Sequence, residues 1–460
     1  MHIKNSNQLI KNGVSEALRK LRGDAITVLE AALNSVDPYK AVLNNLKIVD
    51  GKLRVGNFKA SLDDLRKIVV IGGGKAGGAM AEAVESVLGD RVSGGCVNVL
   101  QGTEFRYNLK KIRLQGASHP IPNNDGVRGV AEMLMLISSM REKDLVICLI
   151  SGGGSALMPY PAEGISLEDK QDVTSRLLMK GATIDDLNAV RKHLSAIKGG
   201  QLARRCYPTR VVSLILSDVV GDPLDTIASG PTSPDTTTFR NAVDVLKKYK
   251  LWDDICSQVR ERLEYGVKKV IVETPKPGDE IFNHVTNIIV GNNSIAAESA
   301  AEAAEALGYN SLIVSTMVEG EAAEVGTVLA GIARELAAKG RPLKPPAAVI
   351  VGGETTVNVR GSGRGGRNQE LALSLARRIT GLKAVAASLA TDGIDGPTEA
   401  SGAIVDGETS TKASKAGLSI EKFLAENDSH SFFKKIGDTI VTGPTGTNVN
   451  DLVLIITSED

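Results

Sequence analysis

The segment VVIGGGKAGGAM places Lys75 inside a run of glycines, directly after an apolar stretch. Gly72, Gly74 and Gly77 satisfy the G-x-G-x-x-G spacing of dinucleotide-binding loops, in which backbone N–H groups hold a pyrophosphate. A dinucleotide fold also needs an acidic residue at the end of its second strand, where this chain has Gln101 or a neighbouring residue and not an acid. The chain has no match to the P-loop pattern either. We interpret the segment as a loop that binds an anion, and a packing turn beside a solvated lysine remains the alternative.

A second glycine-rich segment, SGGGSAL, follows the apolar run LVICLI. Its loop residues are Ser151, Gly152, Gly153, Gly154 and Ser155. Several backbone N–H groups are exposed in such a loop, which suits a phosphate or a carboxylate. A turn without a ligand fits this segment equally well when it is taken alone.

The helical segment AVRKHLSAIKGG carries Arg191 and Lys198 beside its apolar stripe rather than opposite it. Two cations at the edge of a buried face can line a cleft that binds an anion. A solvated pair at the boundary of the core is the other interpretation.

Carboxylate, arginine and amide side chains follow several further apolar runs. Asp218 comes after RVVSLILS and Asp392 after VAASLAT, where a carboxylate can bind Mg²⁺ or accept a proton. Glu354 follows AAVIVGG, and Arg367 begins the helical segment RNQELALSLARRI. The amide candidates are Asn292 in GNNS and Asn450 in NVND. Each residue alone is compatible with a turn, but together they supply the groups that phosphoryl transfer with a metal requires.

Most of these candidates lie where a predicted strand runs into a loop. Continuous apolar runs such as IVVIGG alternate with segments of helical period, which predicts an α/β protein whose sheets are covered by helices on both faces. Ligands of such sheets bind beyond the carboxyl ends of the strands. Residues 14–36 are predicted to form an amphipathic helix. A polar stretch near residues 231–240 predicts one domain over residues 1–235 and another over residues 236–460.

Composition excludes several classes of protein. The 54 Lys and Arg residues are balanced by 54 Asp and Glu residues, so we expect no nucleic acid and no membrane as a partner. The four cysteines form no C-x-x-C pair, which argues against a zinc site or a disulfide framework. The segment MHIKNSNQLI lacks the apolar core of a signal peptide, and we expect a cytoplasmic protein. The oligomeric state is undefined, and a homodimer is compatible with the sequence.

Long motifs of the chain resemble those of the class II glycerate kinases, whose C-terminal part is called the MOFRL region. The motifs occur in the family's order: GGGKAGGAMA, SHPIPNNDG, SGGGSALM, NAVRKHLSAIKGGQLA, LSDVVGDPLDTIASGPT, GGETTV, GRGGRNQELAL and TDGIDGPTEASGAIVD. The resemblance implies transfer of phosphate from ATP to D-glycerate, forming 2-phosphoglycerate with a divalent cation such as Mg²⁺. It also implies two α/β domains, the N-terminal one Rossmann-like, with the active site in the cleft between them.

The resemblance further implies roles for individual residues. Lys75 and Arg367 match its essential lysine and arginine, and Asp218 and Asp392 match its two aspartates. Asp218 is also expected to hold the metal. We expect ATP to contact Gly73, Gly74, Ser151, Gly152, Gly153, Gly154, Ser155, Asn292 and Glu354. We expect glycerate to contact Arg191, Lys198 and Asn450.

Two other functions compete with the kinase. Some relatives carry the name hydroxypyruvate reductase, and Gly72, Gly74 and Gly77 would suit NAD(P)H, although the missing acid and Lys75 oppose this. A non-catalytic module that binds a sugar phosphate would use the two glycine-rich loops but not the arginines and carboxylates of the second half.

Overall fold

The computed structural model describes residues 2–459 and divides the chain into two compact units. The central unit comprises Pro38–Val290, and the terminal unit comprises the residues up to Asp37 together with those from Gly291 onwards. This division differs from the predicted boundary between residues 235 and 236. Residues 236–290 belong to the central unit, and the first helices of the chain belong to the terminal unit.

Helices and strands alternate through most of the described chain, as predicted for an α/β protein. The α-helices are α1 (Ser6–Lys11), α2 (Glu16–Ser35), α3 (Pro38–Asn45), α4 (Gly77–Leu88), α5 (Asn124–Ser138), α6 (Gly154–Leu157), α7 (Leu167–Met179), α8 (Ile184–His193), α9 (Gln201–Cys206), α10 (Phe239–Lys248), α11 (Ser257–Val267), α12 (Asn293–Ala306), α13 (Ala322–Lys339), α14 (Arg367–Ala376), α15 (Thr409–Lys415), α16 (Ile420–Ala425) and α17 (Ser429–Ile436). The strands are β1 (Leu46–Val49), β2 (Lys52–Val55), β3 (Phe58–Ser61), β4 (Ile68–Gly73), β5 (Val92–Leu100), β6 (Ile112–Ala117), β7 (Leu145–Ile150), β8 (Arg210–Leu216), β9 (Val285–Gly291), β10 (Asn310–Glu321), β11 (Ala347–Thr356), β12 (Ala384–Ala390), β13 (Gly402–Asp406), β14 (Thr439–Ile440) and β15 (Asp451–Thr457). The predicted helix over residues 14–36 is confirmed as α2.

The main sheet of the central unit has the strand order β6-β5-β4-β7-β8-β9. Strands β4 to β8 pair in parallel, and β4 and β7 are buried along their whole length. Helix α4 packs on this sheet, as do α5 and α9, and the apolar cores lie between sheet and helices. The chain adds strands outward from β4 on one side and then from β7 on the other, so the direction of the strand order reverses between β4 and β7.

A smaller helical cluster completes the central unit. Helices α7, α8, α10 and α11 pack together around a second apolar core. The capping boxes at Ser166 and Thr238 fix the first turns of α7 and α10, because the cap side chain and the third helical residue satisfy each other's backbone N–H groups. A small antiparallel sheet of β1, β2 and β3 precedes the main sheet.

The terminal unit is built on a mixed sheet in the order β10-β11-β15-β12-β13-β14. Strand β15 runs antiparallel to both β11 and β12, so β11 and β12 run in the same direction. Helices α2 and α12 pack together, and α13 and α14 form a second packed pair on this sheet. This unit therefore also has helices layered on a sheet, as the sequence predicted.

A buried ion network joins α2 to the sheet of the terminal unit. Arg22 donates to Asp406 at 2.7 Å and to Asp438 at 2.6 Å, and all three side chains are 0% exposed. Burial alone would lower the pKa of Arg22, but the two carboxylates outweigh it and raise that pKa. This network ties the N-terminal residues to the terminal unit, because the positive charge of Arg22 on α2 stabilises two buried carboxylates of that unit.

We expect Arg22→Ala to lower the free energy of unfolding by about 3 kcal/mol, because it removes the nearest positive charge from two buried carboxylates and leaves them only the more distant Lys412, at 3.5 and 3.9 Å. Urea denaturation measures this loss. Lys20→Ala on the exposed side of α2 is the matched control and should change little, since its ion pair with Asp24 is solvated. A loss of equal size in both variants would show that the buried network is not the cause.

No helix within residues 2–459 is long and apolar enough to cross a membrane.

Candidate active site

The loops after β4 and β7 lie side by side at the carboxyl edge of the central sheet. These neighbouring strands are the point at which the strand order reverses, because β5 and β6 lie beyond β4 while β8 and β9 lie beyond β7. A ligand-binding crevice forms at such a switch point, since the two connections leave toward opposite faces of the sheet. The glycine-lysine loop (residues 73–76) and the serine-glycine loop (residues 151–155) therefore occupy the position where a ligand of this unit would bind.

The glycine-lysine loop is held against the serine-glycine loop by backbone contacts. Gly74 has a φ of +153°, and a Cβ added to it would lie 2.1 Å from Ser151 Oγ, so a larger residue does not fit. The Lys75 N–H donates to the Gly152 carbonyl at 2.9 Å, and the Ala76 N–H donates to Ser151 Oγ at 3.1 Å. The Lys75 side chain itself is exposed. The glycine run thus brings two loops together and leaves the lysine facing solvent.

The serine-glycine loop also brings other predicted residues close. A Cβ added at Gly152 would lie 2.3 Å from Asp218 Oδ2, so the carboxylate that follows β8 lies against this loop. A Cβ added at Gly153 would lie 3.3 Å from Lys75 Cγ and 3.0 Å from the His119 ring. The structure therefore brings the serine-glycine loop, Lys75 and Asp218 close together.

The far side of the serine-glycine loop is held by polar side chains. Lys198 is 2% exposed, and its Nζ donates to the Gly154 carbonyl at 2.9 Å. Ser155 Oγ lies 2.9 Å from Ser229 Oγ. Burial lowers the pKa of Arg191, and burial together with nearby positive charges lowers the pKa of Lys198 well below its usual value. Lys198 is thus a buried support of the loop, and Arg191 lies near it.

A second cluster forms at one edge of the terminal sheet. Gly353 pairs with Asp451, and Ala390 pairs with the same residue from the other side. The ends of β11 and β12 and the beginning of β15 therefore meet at this edge. The candidates that the sequence placed after these runs are brought together there for that reason.

Arg367 is at the centre of this second cluster. Its Nε and Nη2 donate to the two oxygens of Asp451 at 2.6 and 3.0 Å, and its Nη1 donates to Glu354 at 2.8 Å. The Asn450 side chain donates to the other Glu354 oxygen at 2.9 Å. Burial would lower the pKa of Arg367, but Asp451 and Glu354 outweigh it and raise that pKa. The guanidinium is therefore charged and held in one orientation by two carboxylates.

The N-terminus of α14, which Arg367 begins, is capped by Asp395. The Asp395 carboxylate accepts from the backbone N–H groups of Asn368 and Gln369 at 3.0 and 2.9 Å. Asp395 is 1% exposed, and burial raises its pKa. This buried carboxylate fixes the helix that carries Arg367.

Two predicted residues take part in local structure. Asp392 follows β12, and its Oδ1 accepts from the Ile394 N–H at 3.0 Å, closing a turn in the TDGIDG loop. Asn292 is the N-cap of α12, and its Oδ1 accepts from the Ile295 N–H at 2.9 Å. The geometry of Asn292 is that of a helix cap.

Two side chains at these clusters were not among the predicted site residues. His119 lies beside Gly153, and burial and the charge of Lys75 lower the pKa of its imidazole. The segment SHPIP around His119 was the only sequence signal for it. Asp451 is 5% exposed and lies 84 residues from Arg367 in the chain, so its pairing could not be found from spacing.

The donors present fit a magnesium ion that is shared with a substrate, but not a closed metal cage. Within residues 2–459 no group of three or more His, Cys, Asp or Glu side chains is arranged to hold a metal ion. Mg²⁺ is commonly held by one or two carboxylates together with substrate phosphates and water. Asp218, beside the serine-glycine loop, fits this arrangement.

Comparison with known proteins agrees with these observations. Residues 24–264 match a family described as a domain of unknown function (DUF4147), and residues 347–451 match the MOFRL family. The chain is 44% identical to a glycerate 2-kinase of Pyrococcus horikoshii over 95% of this chain and 98% of that protein. It is 40% identical to a putative hydroxypyruvate reductase of Agrobacterium vitis over 93% of each chain.

A solved structure shares the fold. The crystal structure of a glycerate kinase from Thermotoga maritima has a TM-score of 0.85 and 39% identity to this chain, covering 96% of this chain and 100% of that one. Because these matches span nearly the whole length of both proteins compared, the similarity covers both units of the chain. The chain belongs to the class II glycerate kinases, the glycerate 2-kinase family with a C-terminal MOFRL region.

Proposed function

We propose that this protein transfers the γ-phosphoryl group of ATP to the C2 hydroxyl of D-glycerate, forming 2-phosphoglycerate and ADP. The observation that carries the proposal is the pair of loops at the switch point of the central sheet, where Lys75 and Asp218 both lie against the serine-glycine loop. The glycerate 2-kinase of Pyrococcus horikoshii, similar over nearly its whole length, supports the choice of substrate.

The two loops are proposed to bind the phosphates of ATP. The N-cap of α4 is Ala76, whose side chain cannot cap the helix. The Gly77 N–H donates to the Gly74 carbonyl at 3.0 Å, and the N–H groups of Gly78 and Ala79 that follow can serve an anion. The serine-glycine loop, Ser151 to Ser155, adds further backbone N–H groups next to them. Lys75 supplies a point charge beside these donors, which suits a phosphoryl group whose negative charge is moving to the leaving ADP.

Arg367 is proposed to act on the transferring phosphoryl group while it is held by Asp451 and Glu354. A guanidinium has five N–H donors, and three of its nitrogens each use one donor on these carboxylates, so two donors remain on Nη1 and Nη2. With both carboxylates ionised, the three residues carry a formal charge of −1. A phosphate near them therefore needs further positive charge, which a divalent cation can supply.

Two aspartates are candidates for the remaining roles. When the C2 oxygen bonds to the γ-phosphorus, the bond from that phosphorus to the ADP oxygen breaks and the hydroxyl proton must go to a base. Asp218 would hold Mg²⁺ when the ion is bound with ATP, and the ion then offsets phosphate charge. Asp392 is the proposed acceptor of the proton, with Asn450 and Arg191 positioning glycerate.

The competing functions are not favoured. A reductase would need a group at the end of β5 that recognises the ribose of NAD(P)H, and Gln101 occupies that position. A module that only binds a sugar phosphate would have no use for the Arg367, Glu354 and Asp451 cluster. The kinase uses all of these residues.

We expect the purified protein to release ADP from ATP only when D-glycerate and Mg²⁺ are both present, because the residues that the structure describes form no metal cage and the ion would enter bound to ATP. Removal of the metal with EDTA should stop the reaction, and added Mg²⁺ should restore it. Coupling the product to enolase without phosphoglycerate mutase detects the 2-phosphate directly. NADH oxidation with hydroxypyruvate and no ADP release with glycerate would favour the reductase instead.

A cytoplasmic location and a homodimer remain predictions. Cell fractionation tests the first, and sedimentation velocity of the purified protein tests the second.

A further inference from the structure

A group of cationic side chains lies in the helical cluster of the central unit. Lys170 on α7 and Arg191 on α8 are partly buried, and Lys198 follows in the turn after α8. Burial and the positive charges of Lys170 and Arg191 lower the pKa of Lys198. The Lys198 ammonium donates to the Gly154 carbonyl at 2.9 Å. The group is therefore next to the serine-glycine loop.

The positive charges of this group lack carboxylate partners. Within residues 2–459, neither Lys170 nor Arg191 makes a side-chain hydrogen bond or an ion pair. The charged neighbours that act on Lys170 are Arg191 and Arg262, and burial together with these charges lowers the pKa of Lys170 to about 7. The exposed carboxylate of Glu163 partly offsets the lowering of the Arg262 pKa by burial. Desolvated cations without a counter-charge are costly, so a bound anion would complete this group.

We propose that Lys170 and Arg191 bind the carboxylate of glycerate, an inference that rests on the proposed kinase function. The carboxylate is the charged group of glycerate, and the planar fork of an arginine fits its two oxygens. In the proposed function, the phosphates of ATP are bound by backbone N–H groups and Lys75 at the adjoining loops. The cationic side chains of α7 and α8 are therefore available to bind glycerate, the acceptor of the phosphoryl group. Lys198 holds the loop between the two ligands through Gly154.

Titration calorimetry with D-glycerate alone and with a non-hydrolysable ATP analogue alone tests this assignment. Lys170→Met should weaken glycerate binding on the order of tenfold to a hundredfold, the effect of losing a hydrogen bond between charged groups, and leave the ATP analogue unchanged. Lys170→Arg should retain part of the affinity. Lys180→Met, at the exposed end of α7, is the matched control and should bind both ligands like the unmodified protein.

Each other result overturns the proposal. Weaker binding of the ATP analogue with normal glycerate binding would assign the cations to a phosphate. Normal binding of both ligands by Lys170→Met would show that the cations serve the packing of α7 and α8. The ADP-release assay on the unmodified protein tests the kinase function separately from the role of Lys170 and Arg191. If the unmodified protein is an active kinase and Lys170→Met binds both ligands normally, only the proposed role of these two residues is contradicted.

Discussion

Arg367→Ala is expected to lower kcat on the order of a hundredfold or more, the effect of losing a preorganised charge partner of the transition state. The same change leaves Asp451, which is 5% exposed, without its two hydrogen bonds. We therefore also expect a loss of about 1–3 kcal/mol in the free energy of unfolding. Steady-state kinetics well below the melting temperature, with a melting curve for each variant, measures the two effects separately.

Two further variants decide whether the guanidinium itself matters. Arg367→Lys keeps the charge but cannot donate in two parallel directions, so it should recover only part of kcat. Arg364→Ala is the matched control in the same loop, because Arg364 is exposed and donates to the Pro397 carbonyl. A normal kcat in Arg367→Ala would leave this arginine with a role in packing the sheet edge and none in the reaction.

Lys75→Ala is expected to lower kcat by a similar factor, on the order of a hundredfold. Its effect on folding should be much smaller than that of Arg367→Ala. The Lys75 side chain is exposed and makes no hydrogen bond or ion pair within residues 2–459, while the contacts of the loop come from its backbone. A melting curve unchanged beside a large loss of kcat is therefore the expected signature.

The control for Lys75 comes from the opposite end of the same strand. Lys67 precedes β4 and is exposed, so Lys67→Ala removes an equivalent charge away from the carboxyl edge of the sheet. Its kcat should be normal. If Lys67→Ala and Lys75→Ala lower kcat equally, the effect comes from the overall charge of the protein rather than from the glycine-lysine loop.

The sequence predicted the architecture well but not the division into units. Apolar runs of six residues, such as Ile68–Gly73 and Leu145–Ile150, are strong signals because both faces of these strands are buried. The spacing of apolar residues in α2 predicts a helix with one apolar face, but it does not identify the sheet against which that face packs. Arg22 joins α2 to the terminal sheet, and nothing in its neighbourhood in the sequence identifies Asp406 and Asp438 as its partners.

The candidate site shows the same limit. Glycines after an apolar run predict a loop that approaches other backbone closely, which is what Gly74 does. The sequence suggested that Arg367 was free to bind an anion, yet it is paired with Glu354 and Asp451. Strand order alone brings Asp451 to this edge, because β15 lies between β11 and β12. Long-range pairing of this kind is set by topology and cannot be read from local spacing.

The central position of β15 has a consequence for the synthesis of the chain. Residues 451–457 are translated after every other strand of their sheet, so β11 and β12 emerge from the ribosome without the strand that joins them. The whole central unit is translated between helix α2 and the residues of the terminal unit against which α2 packs. The central unit can fold as soon as it emerges, whereas the terminal unit gains its contacts late and over long loops, which slows folding. Nascent chains therefore expose the apolar face of α2 for most of translation and the faces of β11 during its last part, and these are the surfaces that a ribosome-associated chaperone would meet.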